Sequence, residues 1–325
     1  MDRRRFLAAT TTAIAAPLAA PSVLRAQTLP KITIGMSGWT GFAPLTLAEQ
    51  AGLFRNAGIE VETKFVPQRE RHLALAAGAL NCVVTTVDTM ITWAGAGVAL
   101  TQVLQLDRSK GGDGIAVRPG INSFADLKGK QVAVDGAGTT PYFVLAYMAR
   151  RNGVSVREIQ TPTLAPQPAA QAFVAGQFDG CSTYEPYLSQ VRGMGADKGK
   201  ILATTVDYPC VIDTMAFQPA FIRANPEAVR RVVNGWFAAV DMIAAEPEKS
   251  FEIMGKRTNQ TGEQFKGSQS FIHWPGRAEN LAYFNGHMQA GLPAFMTEAA
   301  TVLREAGVIR NVPDLNALVT AEFLS

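Results

Sequence analysis

Apolar and polar positions follow one order that the chain uses twice. The segment KITIGMSGWTGFAPLTLAEQAGLFRNAGIEVE, which starts at Lys31, reads as a buried strand, a Gly/Ser/Thr loop, a helix that begins at a proline, a glycine stop and a second strand. The segment KQVAVDGAGTTPYFVLAYMARRNGVSVREIQ, which starts at Lys130, has the same order. An internal repeat of this kind predicts two similar β-α-β lobes.

The residues at the element ends agree with this prediction. Strands such as the one at Val132 are apolar on both faces, which is typical of strands covered by helices. Pro44 and Pro141 stand near the first helical position, where a missing N–H costs nothing. Thr140 is the predicted N-cap of the second helix, and Gly153 is its predicted stop.

The repeat continues in HLALAAGALNCVVTTVDT and AAQAFVAGQFDGCSTYEP, each of which predicts a helix, an Ala-Gly stop and a strand that ends near an acidic residue. After about residue 217 the pattern changes to helices joined by polar turns. The starts of three of these helices are predicted at Pro226, Pro293 and Pro313. The chain is therefore predicted to be an α/β protein with C-terminal covering helices.

The first residues, MDRRRFLAATTTAIAAPLAAPSVLRAQT, have the pattern of an export signal. Arg3–Arg5 are followed by a mildly apolar stretch that is too short to span a bilayer, and small residues follow near Ala26. The arginines resemble the twin-arginine pattern. We predict a signal peptide over residues 1–26, cleaved after Ala26, and a periplasmic product.

Composition limits the remaining classes. A chain of 325 residues that is 47% hydrophobic can bury a large core, and its length favours two domains. The formal charge of +3 comes from 30 basic and 27 acidic residues without a basic tract after the first positions, so no nucleic-acid partner is expected. Cys82, Cys181 and Cys210 are an odd number, which favours buried free thiols, although a Cys181–Cys210 bridge stays open.

Sequence signatures of catalysis are incomplete. The stretch Gly136–Pro141 approaches G-x-G-x-x-G, but its third glycine is replaced by proline. Glu158 follows this stretch at about the sequence separation at which an acidic residue binds the ribose in such proteins. A nucleotide-dependent oxidoreductase therefore stays an alternative. Ser37 lacks the closing glycine of a nucleophile elbow, and no phosphate-binding loop occurs. The histidines do not have metal-ligand spacing, so no metal is expected; they are His72, His273 and His287.

A non-catalytic chemistry fits the two repeated loops. Each loop precedes a helix, and helix N-termini expose unsatisfied N–H groups with a partial positive charge. Such groups bind carboxylate, sulfonate, nitrate or carbonyl oxygens. Two termini that face each other would therefore form a clamp for a small solute.

Four stretches carry a family resemblance: SGWTGFAPLTLAEQAGLFRNAGIEVE, DLKGKQVAV, AGQFDGCSTYEPYL and VIDTMAF. Together they resemble the periplasmic substrate-binding proteins of ABC importers in the nitrate, sulfonate and taurine class, which also includes binders of thiamine-precursor pyrimidines. The resemblance implies a two-lobed periplasmic binding protein fold (type II) with two interdomain crossings. Lobe 1 would be residues 27–115 plus 216–325, and lobe 2 would be residues 116–215. The ligand would lie between the lobes, which close around it.

The resemblance also implies the site residues. Lobe 1 would contribute Ser37, Gly38, Trp39, Phe42, Thr86 and Asp88. Lobe 2 would contribute Gly138, Thr139, Thr140, Tyr142, Tyr184 and Glu185. The crossings would contribute Asp107, Ser109, Asp207, Tyr208 and Asp213. Alternatives stay open at several positions: a core role for Trp39 and Tyr142, a surface turn for Tyr184 and Glu185, and a structural tie for Asp213.

The charged residues of the predicted site loops indicate which kind of ligand they would favour. The nominated loops are rich in aspartate, and their cations are Arg108 and Lys110, which also fit a solvated turn. This balance favours a neutral or amine-bearing ligand, heteroaromatic ones included. We expect a monomeric, non-catalytic binding protein without a cofactor, with an ABC permease and ATPase as partners. A pyrimidine-synthase-like enzyme on the same fold is the other alternative, although the Cys-rich stretch of those enzymes is absent here.

Overall fold

The strands form two separate sheets in the computed structural model, which describes residues 29–285 and 291–325. The predicted signal peptide and His287 lie outside the described residues. The strands are β1 Ile32–Met36, β2 Val61–Phe65, β3 Cys82–Thr86, β4 Thr101–Ser109, β5 Asp113–Val117, β6 Val132–Ala133, β7 Gly180–Tyr184, β8 Lys200–Thr204, β9 Ile212–Phe217 and β10 Ile272–His273.

The helices cover the faces of both sheets. They are α1 Ala43–Gln50, α2 Leu53–Asn56, α3 Gln68–Ala76, α4 Val87–Gly95, α5 Thr140–Arg151, α6 Pro166–Val174, α7 Tyr187–Arg192, α8 Pro219–Ala224, α9 Pro226–Ala245, α10 Pro247–Arg257, α11 Gly262–Gln269, α12 Arg277–Phe284 and α13 Leu292–Glu305. Short 3₁₀ turns occur at Thr40–Phe42, Ala125–Leu127, Val156–Glu158 and Asn316–Leu318. The predicted α/β class is confirmed by this arrangement.

The two sheets share one plan. The first has the order β10-β4-β9-β3-β1-β2, and the second has the order β6-β7-β5-β8. In the first sheet β1 pairs in parallel with β2 and β3, and β9 lies antiparallel between β3 and β4. In the second sheet β6 pairs in parallel with β7, and β5 lies antiparallel between β7 and β8. The repeat seen in the sequence is thus a repeat of strand topology.

Two short crossings connect the sheets. The chain passes from β4 to β5 through residues 110–112 and returns from β8 to β9 through residues 205–211. The family resemblance placed Asp113–Ile115 in lobe 1, but these residues pair in the second sheet. It placed residues 212–215 in lobe 2, but these residues pair in the first sheet. The apolar pattern of a strand does not reveal which sheet it joins, because pairing is a long-range contact.

Local details differ at two predicted helix starts. The N-cap of α5 is Thr139, and Thr140 is its first helical residue, whereas Gly153 follows the helix with a φ of 72° as predicted. The helix predicted from Pro313 is wrong, since that segment forms only the turn Asn316–Leu318. Its following residue Val319 instead bridges to Gln102 of β4, and this extended pairing competes with a helix.

The core beneath the first sheet is closed by the long helix α9. Trp236 is fully buried, and Gly235 faces the ring of Phe54 so closely that a Cβ atom there would overlap it. The three cysteines are buried free thiols. Burial of large apolar side chains in this way supplies the main stabilising contribution of the fold.

The tight contact at Gly235 predicts opposite effects of two similar substitutions. Gly235→Ala forces a methyl group into the Phe54 ring, and we expect it to lower the free energy of unfolding by about 1–3 kcal/mol. Gly267→Ala in α11 is the control, because nothing lies within 4 Å of a Cβ atom there. Alanine should raise the free energy of unfolding at that position by about 0.5–1 kcal/mol. Urea denaturation measures both, and a loss of equal size in the two variants would contradict the packing.

Candidate functional site

A small cavity of about 20 Å³ lies where the two sheets approach each other. Both sheets contribute to its wall, and Val211 of the second crossing completes it. The lining residues are Ser37, Trp39, Phe42, Gln68, Arg71, Thr86, Asp113, Thr140, Tyr184, Val211 and Asp213. Its polar groups stand among three aromatic rings, which is the usual composition of a small-molecule site.

Strand direction explains why these residues meet. Thr86 ends β3, and Asp213 lies opposite it near the start of the antiparallel strand β9. In the second sheet Tyr184 ends β7, and Asp113 lies opposite it at the start of β5. The carboxyl ends of the parallel strands and the amino ends of the antiparallel strands therefore share one edge in each sheet, and these edges face each other across the cavity.

Trp39 is held rigidly in the wall. Its Nε1 donates to both carboxylate oxygens of Asp107 at 3.2 Å, and its ring meets Tyr184 edge-on with centroids 5.6 Å apart. The first crossing passes directly over the indole, because a Cβ atom at Gly112 would lie only 2.6 Å from the ring. The indole is thus both packed and in contact with the cavity.

A network of hydroxyl groups joins the first turns of two helices that belong to different sheets. Gln68 Nε2 donates to Thr89 Oγ1 at 2.9 Å and to Thr140 Oγ1 at 2.8 Å. The hydroxyls of Thr86 and Thr140 are 2.7 Å apart. Because Thr86 is the N-cap of α4 and Thr140 is the first residue of α5, two helix N-termini stand side by side at the cavity.

Arg71 places a cation in the wall that the sequence analysis missed. Its Nε donates to the carbonyl of Val66 at 2.8 Å, and its Nη1 donates to the carbonyl of Val84. Nη2 has no acceptor among the described residues, although the side chain is only 1% exposed. Burial lowers the pKa of Arg71 to about 10. The cavity is therefore less acidic than the Asp-rich loops suggested.

A signal for Arg71 is present in the spacing of α3. Gln68, Arg71 and Leu75 occupy positions i, i+3 and i+7 of this helix and so lie on one face. Leu75 is 1% exposed, which identifies this face as the buried one. The charged run QRER concealed the pattern, because such a run usually indicates a solvated face.

Buried carboxyl groups form the opposite part of the wall. Desolvation raises the pKa of Asp113 to about 8, and burial with the adjacent Asp107 raises the pKa of Asp213 well above its ordinary value. Neither Asp113 Oδ2 nor Asp213 Oδ2 receives a hydrogen bond from an N–H or O–H group of residues 29–285 and 291–325. These oxygens are therefore available to a solute.

The structure brings one part of the predicted set to the cavity. The predicted residues that line it are Ser37, Trp39, Phe42, Thr86, Thr140, Tyr184 and Asp213. Lining residues that were not predicted are Gln68, Arg71, Asp113 and Val211. Asp113 is the first residue of the strand that follows the first crossing, and the sequence analysis did not name it as a site residue.

Other predicted residues from the first lobe and the crossings lie just outside the cavity. Gly38 borders an adjoining cleft with Phe65 and Tyr187, which opens toward the loop after α10. Asp107 lies behind Trp39, and Asp88 is buried in the first turn of α4, where burial raises its pKa to about 7.

Ser109 and Thr205 tie the two crossings together. Their hydroxyl oxygens are 2.7 Å apart, and Ser109 Oγ also accepts the backbone N–H of Asp113 at 3.1 Å. Ser109 therefore links the two crossings through its hydroxyl group and does not line the cavity.

The remaining predicted residues of the second lobe have structural contacts. Glu185 is fully buried and pairs with Arg192 at 3.2 Å. Gly138 has a φ of 90° and packs toward Thr92 of α4. The Thr139 hydroxyl donates to the carbonyl of Gly136, and the Asp207 carboxylate accepts the backbone N–H of Thr204. The Tyr208 hydroxyl accepts from the Asn152 side chain, and Tyr142 is half-buried beside the core.

The two histidines that the structure describes lie outside the cavity wall. His273 pairs with Glu279 at 2.8 Å and His72 stacks on Trp93, both outside the wall. No cluster of three metal-ligating side chains occurs in the described ranges. None of the helices described combines the length and apolar character that a membrane span needs.

Comparisons with known proteins agree with this geometry. The model of the family described as NMT1/THI5 like matches residues 39–250. A Brucella abortus protein named as a binding protein is 25% identical over 259 residues, covering 79% of each chain. The riboflavin-binding protein RibY of Chloroflexus aurantiacus is 25% identical over 257 residues, covering 75% of this chain and 71% of its own.

Solved structures share the fold. The alkanesulfonate-binding protein SsuA from Xanthomonas axonopodis pv. citri, bound to MOPS, superposes with a TM-score of 0.73 at 17% identity over 90% of this chain and 99% of its own. The periplasmic nitrate-binding protein NrtA from Synechocystis PCC 6803 gives 0.64 at 16% identity over 89% and 91%. The predicted periplasmic binding protein fold is confirmed, and these relatives are binding proteins.

The raised pKa of Asp113 predicts that stability depends on pH. An aspartate that is protonated in the folded protein and ionised in the unfolded chain takes up a proton on folding, so its contribution is present at low pH and is lost as pH rises toward about 8. Each such group changes the free energy of unfolding by up to about 1.4 kcal/mol per pH unit. Asp113→Asn should reduce this slope between about pH 5 and pH 8.

Denaturant titrations at several pH values measure the slope. Asp241→Asn, at an exposed position of α9, is the matched control and should leave the slope unchanged. Identical slopes in wild type and Asp113→Asn would show that Asp113 is ionised in the folded protein.

Proposed function

The chain belongs to the NMT1/THI5-like family, and from this membership and the cavity we propose that it is the extracytoplasmic solute-binding component of an ABC importer. The observation that carries the proposal is the cavity itself, whose wall combines residues of both sheets and of the second crossing. In this role the protein binds a solute without changing it and delivers it to a membrane permease served by an ATPase.

The composition of the wall supports a small solute. The cavity volume of about 20 Å³ is little more than the roughly 10–15 Å³ that one water molecule needs, so the two halves have to separate to admit a solute. The family membership and the mixed aromatic and polar wall favour a small organic solute, such as a taurine-like sulfonate or a nitrogen heterocycle of pyrimidine size.

We propose that the two sheets with their helices move as two lobes about the crossings. The crossings are short, and the bond between Ser109 and Thr205 keeps them together while the rest of each lobe rotates. Contacts between the lobes, such as Gln68 with Thr140 and Arg69 with Asp135 at 3.2 Å, support a closed form. A permease that recognises this closed form would accept only the loaded protein.

The proposed location is the periplasm, and the proposed state is a monomer. The sequence of residues 1–26 and the periplasmic location stated for NrtA support the location. The non-catalytic role is supported by relatives that are named as binding proteins.

A solute that binds this cavity should stabilise the protein through mass action. At a hundredfold excess over its dissociation constant the gain is about 2.7 kcal/mol, which raises the melting temperature. We expect a member of a panel of taurine, alkanesulfonates, nitrate, pyrimidines and aromatic acids to do so. Trp39→Ala should remove the effect, because it deletes the largest aromatic face of the wall.

Tyr208→Phe is the control, since Tyr208 lies outside the wall. Differential scanning calorimetry checks each variant with and without solute. A solute that stabilises Trp39→Ala as strongly as wild type would place binding elsewhere in the molecule.

A further inference from the structure

The Gly-rich segment of the second lobe contacts the first turn of a helix in the other lobe. This segment, residues 135–140, consists of the loop between β6 and α5 and the first residue of α5, and it carries the near match to a dinucleotide-binding motif. Gln68 and Arg69 begin α3, which packs on strands of the first sheet. Both side chains reach across to the Gly-rich segment. The first turn of α3 and the Gly-rich segment are therefore the two parts of one contact between the lobes.

An ion pair forms one half of this contact. Asp135 is 5% exposed, and its Oδ1 lies 3.2 Å from Nε of Arg69 and accepts the backbone N–H of Gly136 at 2.8 Å. Burial raises the pKa of Asp135, while Arg69 and Arg71, both of α3, act in the opposite direction. The cations that stabilise this carboxylate thus belong to the other lobe. Because the pair exists only while the lobes are in contact, it favours the closed form.

The Gln68 amide forms the other half. Its Oε1 accepts the backbone N–H of Thr140 at 3.3 Å, and its Nε2 donates to the hydroxyl of the same residue at 2.8 Å. Nε2 also donates to the hydroxyl of Thr89 in its own lobe at 2.9 Å, which holds the amide in place. Donor and acceptor of one side chain therefore pair with a single residue of the other lobe, and such a pairing requires a defined orientation of the two lobes.

Two glycines of the segment make room for the other lobe. The backbone of Gly136 is not left-handed, so its conformation alone does not require glycine. A Cβ atom there would lie 3.2 Å from Cδ of Arg69, whereas its nearest atom within the second lobe, in Thr163, would be 3.7 Å away. At Gly138 a Cβ atom would lie 3.0 Å from the methyl group of Thr92 in α4. Both glycines thus permit a close approach of side chains from the first lobe.

Resting on the proposed function and its lobe movement, we propose that Gln68 and Arg69 form a latch with the Gly-rich segment and that this latch stabilises the closed form. Arg69 and Asp135 are positioning residues in this proposal. They do not line the cavity, so they act on solute affinity through closure and not through contact with the solute. The glycines of the segment serve the approach of the two lobes, which explains them without a bound phosphate.

Distances between two spin labels measure closure in the whole protein. A cleft beside Gln167 of α6 and Thr258 separates the lobes at their outer edge. Lys256→Cys on α10 and Gln171→Cys on α6 place labels at exposed positions on its two sides, and the native cysteines are buried. Double electron–electron resonance gives the ratio of short to long distances. It is recorded without solute and with taurine, 1-propanesulfonate, nitrate, 4-aminopyrimidine or benzoate.

Two variants weaken the latch from its two sides. Arg69→Ala removes the ion pair, and we expect it to lower the ratio of short to long distances about twofold to fivefold, because the arginine is half-exposed. Gly136→Leu places a side chain against Arg69 and should lower the ratio about tenfold or more. Gly193→Leu is the matched control, since this exposed glycine of the second lobe has no atom closer than 3.6 Å to a Cβ position. It should leave the ratio unchanged.

Two further measurements distinguish a latch from a general structural role of Arg69. Arg69→Lys keeps the positive charge and should restore much of the wild-type ratio. An increase of salt from about 50 mM to about 500 mM should lower the ratio in wild type, because salt screens a partly exposed ion pair. The same increase should have little effect in Arg69→Ala, which lacks the pair.

The outcomes separate the latch from the solute-binding function. A ratio that Arg69→Ala and Gly136→Leu both leave at the wild-type value overturns the latch and leaves the solute-binding function standing. An equal loss in Gly193→Leu and Gly136→Leu also overturns it. A single distance that neither variant nor any of the five solutes changes overturns the latch as well. If none of these solutes raises the melting temperature either, the result also counts against the solute-binding function.

Discussion

The exchange of one strand between the two sheets is the constraint on which the rest of the structure depends. β5 enters the second sheet directly after the first crossing, and β9 enters the first sheet directly after the second. Both are antiparallel to their parallel-strand neighbours, so their starting residues lie beside the ends of β7 and β3. This geometry places Asp113 and Asp213 at one cavity and keeps the crossings short.

Burial of polar side chains gives this cavity its chemical character. Trp39, Asp107 and Arg71 are held by contacts within the protein, while the remaining atoms of Arg71, Asp113 and Asp213 face a low-dielectric space. Such an arrangement costs stability, because charged and polar groups are desolvated without full compensation. A group that supplied the missing hydrogen-bond partners would offset this cost.

The acidic residues illustrate how similar side chains acquire different environments. Glu185 and Asp207 have the same acidic character in the sequence as Asp213, yet the first pairs with Arg192 and the second accepts from a neighbouring backbone N–H. Asp213 lies between β3 and β4, opposite Asp107, and its Oδ2 has no hydrogen-bond partner among the described residues. The strand pairing thus determines which polar side chains at this cavity have atoms without a hydrogen-bond partner.

Much of the fold could be predicted from local pattern. The duplicated strand-loop-helix order, the helix starts at Pro226 and Pro293 and the stop at Gly153 depend on contacts within a few residues, so the sequence alone determined them. Ser37 and Trp39, which the family resemblance implied as site residues, line the cavity. The sequence by itself determined that there are two similar halves and which loops follow their parallel strands.

Only the tertiary structure decided the sheet to which β5 and β9 belong, the burial of Arg71 beneath a charged-looking helix, and the pairing of Glu185 away from the cavity. Each of these depends on contacts between residues far apart in the chain. The pairing of a strand and the environment of a charge are set by the neighbours that folding brings together, and a local pattern of apolar and polar residues does not contain them.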